Sequence, residues 1–247
     1  MGEPGTTTRA LLAIDRHGTG DAALAERICR ACMAGLDVDG AVLSLLTATV
    51  SRTTLWASDA TAELIEELQF TLNEGACMEA AATGRPVLVP DLHHGTETAR
   101  WPVFAAAVAE RTMVGALFAL PLQWGAVNLG VLDLYRLAAG GLDAAQYRDA
   151  ISAADLAALM MLGQRTDPAP VDGSDGADPT GGSWLAEASG HRAEVHQATG
   201  MVLAQLGVGA VEALARLRAH AFVEQRLLVD VARDVVARRL RFTEEMR

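Results

Sequence analysis

Hydrophobic runs and helical stripes are mixed along this chain up to about residue 165, beyond which only helical stripes recur. In the first stretch, Leu24, Ile28 and Ala31 lie on one stripe of a helix predicted over about 21–36. The runs "GAVLSLLTA" and "TTLWAS" are aliphatic and β-branched and read as strands. Helical spacing returns in "TAELIEELQF", through Leu64, Ile65 and Leu68. "CMEAAATG" reads as a short helix stopped by Gly84, and "RPVLVPDL" as a strand closed by Pro90. "WPVFAAAVAER" carries Pro102 in its first turn and is helical. "VGALFALPL" and "VNLGVLDLY", joined at "QWGA", form the strongest hairpin signal in the chain. A final helix over "LDAAQYRDAISAADLAALMMLGQ" completes an α+β unit, an antiparallel sheet with flanking helices.

The boundary is compositional. "RTDPAPVDGSDGADPTGGS", residues 165–183, has three Pro, four Gly and four Asp and no apolar period, so it reads as a linker. Beyond it three amphipathic helices follow. Their stripes are Val195, Ala198, Val202 and Leu206; then Ala210, Ala213, Leu214, Leu217 and Ala221; then Leu228, Val231, Ala232 and Val235. Short turns between them predict an all-α three-helix bundle. The expected division is an N-terminal tail over 1–19, an α+β domain over 20–165, a linker over 166–184 and a helical domain over 185–247.

Within "QATGMVLAQLGV" the first of these helices contains Gly200, which costs about 1 kcal/mol relative to Ala. Gly200 falls opposite the apolar stripe, beside Ala204. The reading is that another body approaches this back face closely. Val211 and Phe222 on the second helix, and Val229, Val236 and Leu240 on the third, also lie off their stripes. They predict that the domain packs against a twin, the front domain or another macromolecule.

Charge divides with the domains. The net charge is −11, all 20 basic residues being arginine; nine of them face eight acidic residues after residue 186, so the acidity belongs to the front. That balance argues against general nucleic-acid affinity. No apolar run is long enough to span a bilayer, "MGEPGTTTRA" lacks a signal-peptide core, and its myristoylation pattern is weak, so the expected location is cytoplasmic. Cys29, Cys32 and Cys77 read as reduced, buried thiols. Asp91, His93 and His94 in "DLHHG" have the residue types for metal or acid–base chemistry, but follow Pro90 on a polar loop. No hydrolase elbow, phosphate-binding loop, zinc-protease or dinucleotide motif is present, and no catalytic or metal site is expected.

"LNEGACMEAAATGRPVLVPDL" followed by "ALPLQWGAVNLGVLDLY" resembles the GAF domain, over about 20–165. The resemblance implies a module sensing a small molecule or redox state, without naming the ligand; Trp56, Cys77, Met78, Phe118 and Trp124 are pocket or core residues. No cofactor is identified. "HQATGMVLAQLGVGAVEALARLRAHAFVEQRLLVDVARDVV" is similar to the ANTAR domain, over about 187–241. Gln197, Ala198, Gly200, Met201, Ala213, Leu217, Arg218, Arg226, Leu228, Asp230, Val231 and Ala232 match its pattern.

The second resemblance implies binding of paired RNA hairpins in a nascent transcript, hence transcription antitermination, by a homodimer and without catalysis. The implied contact set is Arg192, His196, Thr199, Gly200, Arg216, Arg218, Arg226 and Arg233. Three departures weaken it: Thr199 stands where the family usually has Lys, Gln225 where it often has Asn, and Leu227 in place of a second basic residue. For Arg218 and Arg226, RNA contact and structural pairing both remain open. The alternative is a helical domain that serves protein interaction or dimerisation without RNA.

Overall fold

The computed structural model describes residues 3–15, 20–46, 52–94, 96, 99–164 and 193–243. The predicted hairpin is the centre of the N-terminal sheet: β4 (Ala116–Trp124) and β5 (Val127–Arg136) are joined through Gly125, whose φ of 60° a side chain would resist. With β1 (Gly40–Leu46), β2 (Arg52–Ala57) and β3 (Val87–Val89) they form an antiparallel sheet in the order β2-β1-β5-β4-β3.

Alternation along these strands builds two hydrophobic layers. Leu43, Leu45, Phe118, Leu120, Leu132 and Leu134 face α1 (Thr6–Leu12), α2 (Asp21–Leu36) and α6 (Ala144–Gln164). Val42, Leu117, Ala119, Val131 and Tyr135 face α3 (Ala60–Leu72), α4 (Ala76–Thr83) and α5 (Pro102–Arg111). Local chemistry sets the helix ends. The Asp59 carboxylate accepts the amides of Thr61 and Ala62 to start α3, and Gly84 ends α4 in the left-handed conformation.

Helix α1 lies within the stretch expected to be a tail. Seven residues are too few to show a helical period or to hold a helix alone. Its first turn is held from a distance: Asp149 of α6 accepts the amides of Thr7 and Thr8 at 2.8 and 3.0 Å, and Leu11 is buried. Glu74 likewise accepts the amides of Val103 and Phe104 at the start of α5. This chain repeatedly caps a helix with a carboxylate from another element.

The helical domain consists of α7 (Ala193–Leu206), α8 (Ala210–Val223) and α9 (Leu228–Val236), with α7 and α8 meeting at 105°. Val195, Ala198, Val202, Ala213, Leu217, Ala221, Leu228, Val231, Ala232 and Val235 are buried as their stripes require. Leu206 and Leu214 are half-buried, and Ala210 is exposed at the first position of α8. After α9 the chain reverses at Arg238, φ 59°, and Phe242 returns to the bundle, its amide donating to Gln205 Oε1 at 2.8 Å. Val236 and Leu240 therefore pack against the bundle core instead of forming the outward face expected of them. Val211 and Phe222 do stay outside, 79% and 55% exposed.

Candidate nucleic-acid interface

Gly200 lies exposed on α7, and a Cβ built there meets no described atom within 4 Å. The close approach expected at this back face is therefore not made by any described part of the chain. Beside it His196 is exposed, while the Thr199 hydroxyl donates to the Val195 carbonyl at 2.7 Å, inside its own helix. Arg192 lies outside the described residues.

The remaining candidate arginines fall in three places. Arg216 makes a local pair with Glu212 along α8 at 3.1 Å. Arg226 and Arg233 belong to a network on α9: Arg226 meets Asp234 at 2.7 Å and the Asp230 carbonyl at 3.2 Å, and Arg233 meets Asp230 at 3.3 Å and Glu194 at 3.7 Å. Arg226 and Arg239 together hold the Asp234 carboxyl below the usual carboxylate range. Arg218 lies apart from both sets. It faces the N-terminal domain, donating through Nε to the Phe70 carbonyl at 3.2 Å, with its guanidinium 5.0 Å from the Phe70 ring centroid.

That contact is one corner of an interlocked junction between the domains. Phe70, from α3, is 2% exposed and sits among the buried residues of the helical bundle. In return Leu227 packs against the core of the N-terminal domain. Leu227 occupies the N-cap position of α9, where its side chain offers no hydrogen bond. The first amides of that helix find partners on α3 instead: Leu228 donates to Thr71 Oγ1 at 3.1 Å and Val229 to Glu67 Oε1 at 3.4 Å. The domain packs against the front domain through the α8–α9 corner, by way of Leu227, and not through Gly200, Val211 or Phe222, which the expectation invokes.

On the inner side of α3 a polar cluster is buried between the helix and the sheet. Arg52 pairs with Glu66 at 2.9 Å, both about 3% exposed, and its other nitrogen donates to Cys77 Sγ. Gln69 donates to Asp133 at 3.3 Å and accepts the Cys77 amide at 2.7 Å. Burial, then repulsion from Glu66, pushes the Asp133 carboxyl up to about 7 against the opposing pull of Arg52. Burial also pushes the Cys77 thiol well above its ordinary value, so it stays protonated. The ligand atoms of Glu66, Cys77 and Asp133 lie within 4.8 Å of one another, and the Arg52 guanidinium supplies their positive charge. The same face leaves a void of about 10 Å³ beside Gln69 and Asp133, at most room for one water.

A larger cleft, about 920 Å³, lies between β2, α3 and α9, lined by Trp56, Glu63, Leu64, Leu227 and Arg233. Of the residues weighed as a pocket, only Trp56 reaches it. Cys77 and Phe118 are buried on opposite faces of the sheet, Met78 is half-buried, and Trp124 is exposed on the hairpin. Asp91 and His94 meet at 2.8 Å on an exposed loop, where Asp91 also accepts the His93 amide. Cys29 and Cys32 are buried against α6 and the sheet, and burial raises both thiols. Among the described residues, no single helix is long and apolar enough to cross a membrane.

Phe70, Thr71, Glu67 and the Arg52 cluster escaped sequence reasoning. The available signal was Leu227, an apolar residue where the resemblance called for charge.

Comparison with known proteins agrees with both halves of this architecture. The GAF-domain family matches residues 21–163, and the ANTAR-domain family matches residues 185–236. No curated protein sequence matches the chain. Similar solved structures include a domain of a putative two-component sensor histidine kinase from Sinorhizobium meliloti 1021, at 13% identity and a TM-score of 0.47, over 60% of this chain and 95% of that one. The GAF domain of a phosphoenolpyruvate-protein phosphotransferase from Coxiella burnetii aligns at 13% identity and a TM-score of 0.48, over 64% and 92%. The GAF-B domain of DevS from Mycobacterium smegmatis aligns at 16% identity and a TM-score of 0.40, over 56% and 89%. With its sheet, its two helical layers and the bundle behind them accounted for, the chain belongs to the GAF-domain family and carries a C-terminal ANTAR domain.

Proposed function

We propose that this protein is a signal-responsive transcription antitermination regulator, in which the ANTAR domain binds tandem hairpins in nascent RNA and the GAF domain controls that binding. The ANTAR match over 185–236, with its arginine-bearing helices, carries the reading. Guanidinium groups suit phosphate and guanine edges. Arg216 and Arg233 on their helices, and Arg226 in the turn between α8 and α9, are partly or fully exposed, their acidic partners exchangeable for phosphate. Exposed His196 and Gly200 on α7 give RNA a surface that can be approached closely. A two-hairpin target suits two copies of the chain, so the working form is a homodimer. Neither domain has a catalytic role in this scheme.

Control runs through the junction between α3 and the α8–α9 corner. A signal acts only by binding the docked and released arrangements unequally. The test is binding of tandem hexanucleotide-loop hairpins by the full chain across a salt series. Salt-sensitive binding, weakened by Arg226→Ala with Arg233→Ala, is expected. Absence of such binding under every condition refutes the reading.

A second reading has one observation in its favour. Leu227 takes the place of a basic residue and serves as an interdomain anchor, as it would in a helical domain specialised for protein contact. Under that reading the domain docks and dimerises but never binds RNA.

A further inference from the structure

The helical domain meets α3 through a particular combination of groups. Two amides at the start of α9 point at an oxygen acceptor and a carboxylate, Thr71 Oγ1 and Glu67 Oε1. Arg218 lies over an aromatic ring and donates to a carbonyl in the last turn of the same helix, where the helix dipole places partial negative charge. An anion for backbone amides and a flat ring beneath a guanidinium are also what a nucleotide offers a protein. Phosphate oxygens accept from amides at helix N-termini, and bases stack on arginine planes.

We propose that the last two turns of α3 act as an internal nucleotide mimic: Glu67 and Thr71 stand in for phosphate and Phe70 for a base, so that docking on the GAF domain and RNA binding exclude one another at the α8–α9 corner. This rests on the reading of the ANTAR domain as an RNA binder. Three features of the chain fit the arrangement. The N-cap residue Leu227 cannot satisfy the amides of α9 itself, which leaves them to an outside acceptor. Leu227 instead anchors the docked state by packing on the GAF core. Phe70, nearly the last residue of α3, is buried in the partner domain rather than its own, so releasing the bundle uncovers it. Arg218 is thus an RNA contact only in the released form. Its engagement with Phe70 and its match to the family pattern are two states of one residue.

The experiment uses the full chain and the tandem hexanucleotide-loop RNA. Glu67→Gln and Thr71→Val keep side-chain size but remove the anion and the hydroxyl acceptor. Glu110→Gln, on the exposed surface of α5 and away from the cleft beside α9, is the charge control. Each cap variant is expected to tighten RNA binding about five-fold, the effect of losing one cap interaction, and to speed hydrogen exchange at the amides of Leu228 and Val229 by a similar factor. Glu110→Gln is expected to change neither by as much as about two-fold. RNA binding of equal strength by wild type and both cap variants overturns the mimic alone. Unchanged exchange in the cap variants overturns it too. Binding by no form overturns the RNA reading and the competition with it, and the exchange data then still report whether α3 caps α9.

Discussion

Replacing Asp133 by Asn should stabilise this protein by an amount that grows with pH, because the buried cluster under α3 holds one carboxylate more than the Arg52 guanidinium can neutralise. Arg52 and Glu66 form an ion pair at 2.9 Å, and Asp133 lies beside them, 6% exposed. Burial and then the Glu66 charge raise the Asp133 carboxyl from 3.8 to about 7. A folded value above the unfolded one means that the folded chain holds the extra proton. The contribution to stability is complete below the unfolded value and is lost as pH rises through the folded one. At about 1.4 kcal/mol per pH unit, the interval amounts to an upper bound of ~4 kcal/mol. The isosteric Asn carries no charge at any pH and can still accept from Gln69. Urea unfolding of both proteins, between about pH 5.5 and 8.5, keeps clear of the acidic isoelectric point. The advantage of Asp133→Asn should grow by ~2 kcal/mol up to about pH 7 and then level off. A difference that stays flat across that range, or shrinks with pH, refutes the assignment of a surplus buried charge.

Gly200→Ala meets empty space on an exposed helix, so it should raise stability by about 1 kcal/mol in thermal unfolding of the free chain. If RNA or a second copy approaches this face, the same variant lowers that affinity, and unchanged affinity removes Gly200 from the contact set. Phe70→Ala leaves a hole in the helical bundle and should cost about 3 kcal/mol, with the ANTAR helices melting in a separate, earlier transition by calorimetry. A single unshifted transition would show that Phe70 does not join the two domains. Asp149→Ala removes the remote cap of α1 and should cost about 1 kcal/mol, with exchange speeding selectively over residues 6–12. Cys77 should resist alkylation in the native chain and react only on unfolding, since it is buried and its thiol is held protonated; rapid native labelling would contradict this.

Much of the architecture is legible in residue order because it depends on local chemistry. Aliphatic and β-branched runs gave the strands, the "QWGA" turn gave the hairpin, and Gly84 and Pro102 marked helix ends, each acting within a few residues of itself. The stripes of α7, α8 and α9 were readable because burial on one face imposes a helical repeat. Helix α1 was not, since its stability comes from Asp149, 142 residues on in the chain. The outward faces assigned to Val236 and Leu240 failed for a related reason: the chain reverses after α9 and covers them.

The sequence by itself determined the two domain types and supplied the arginines that the RNA proposal draws on, because patterning and motif identity are properties of neighbouring residues. Only the tertiary structure decided what those arginines face. Arg218 carries no local mark of a partner, and Leu227 only its apolar side chain in place of a charge, yet one lies over Phe70 and the other fills a site on the GAF core. The same holds inside the sheet, where Arg52, Glu66, Cys77 and Asp133 come from four separate elements. Their charge pairing, and the weakened acidity of the Asp133 carboxyl and the Cys77 thiol, exist only after folding brings them together and excludes water.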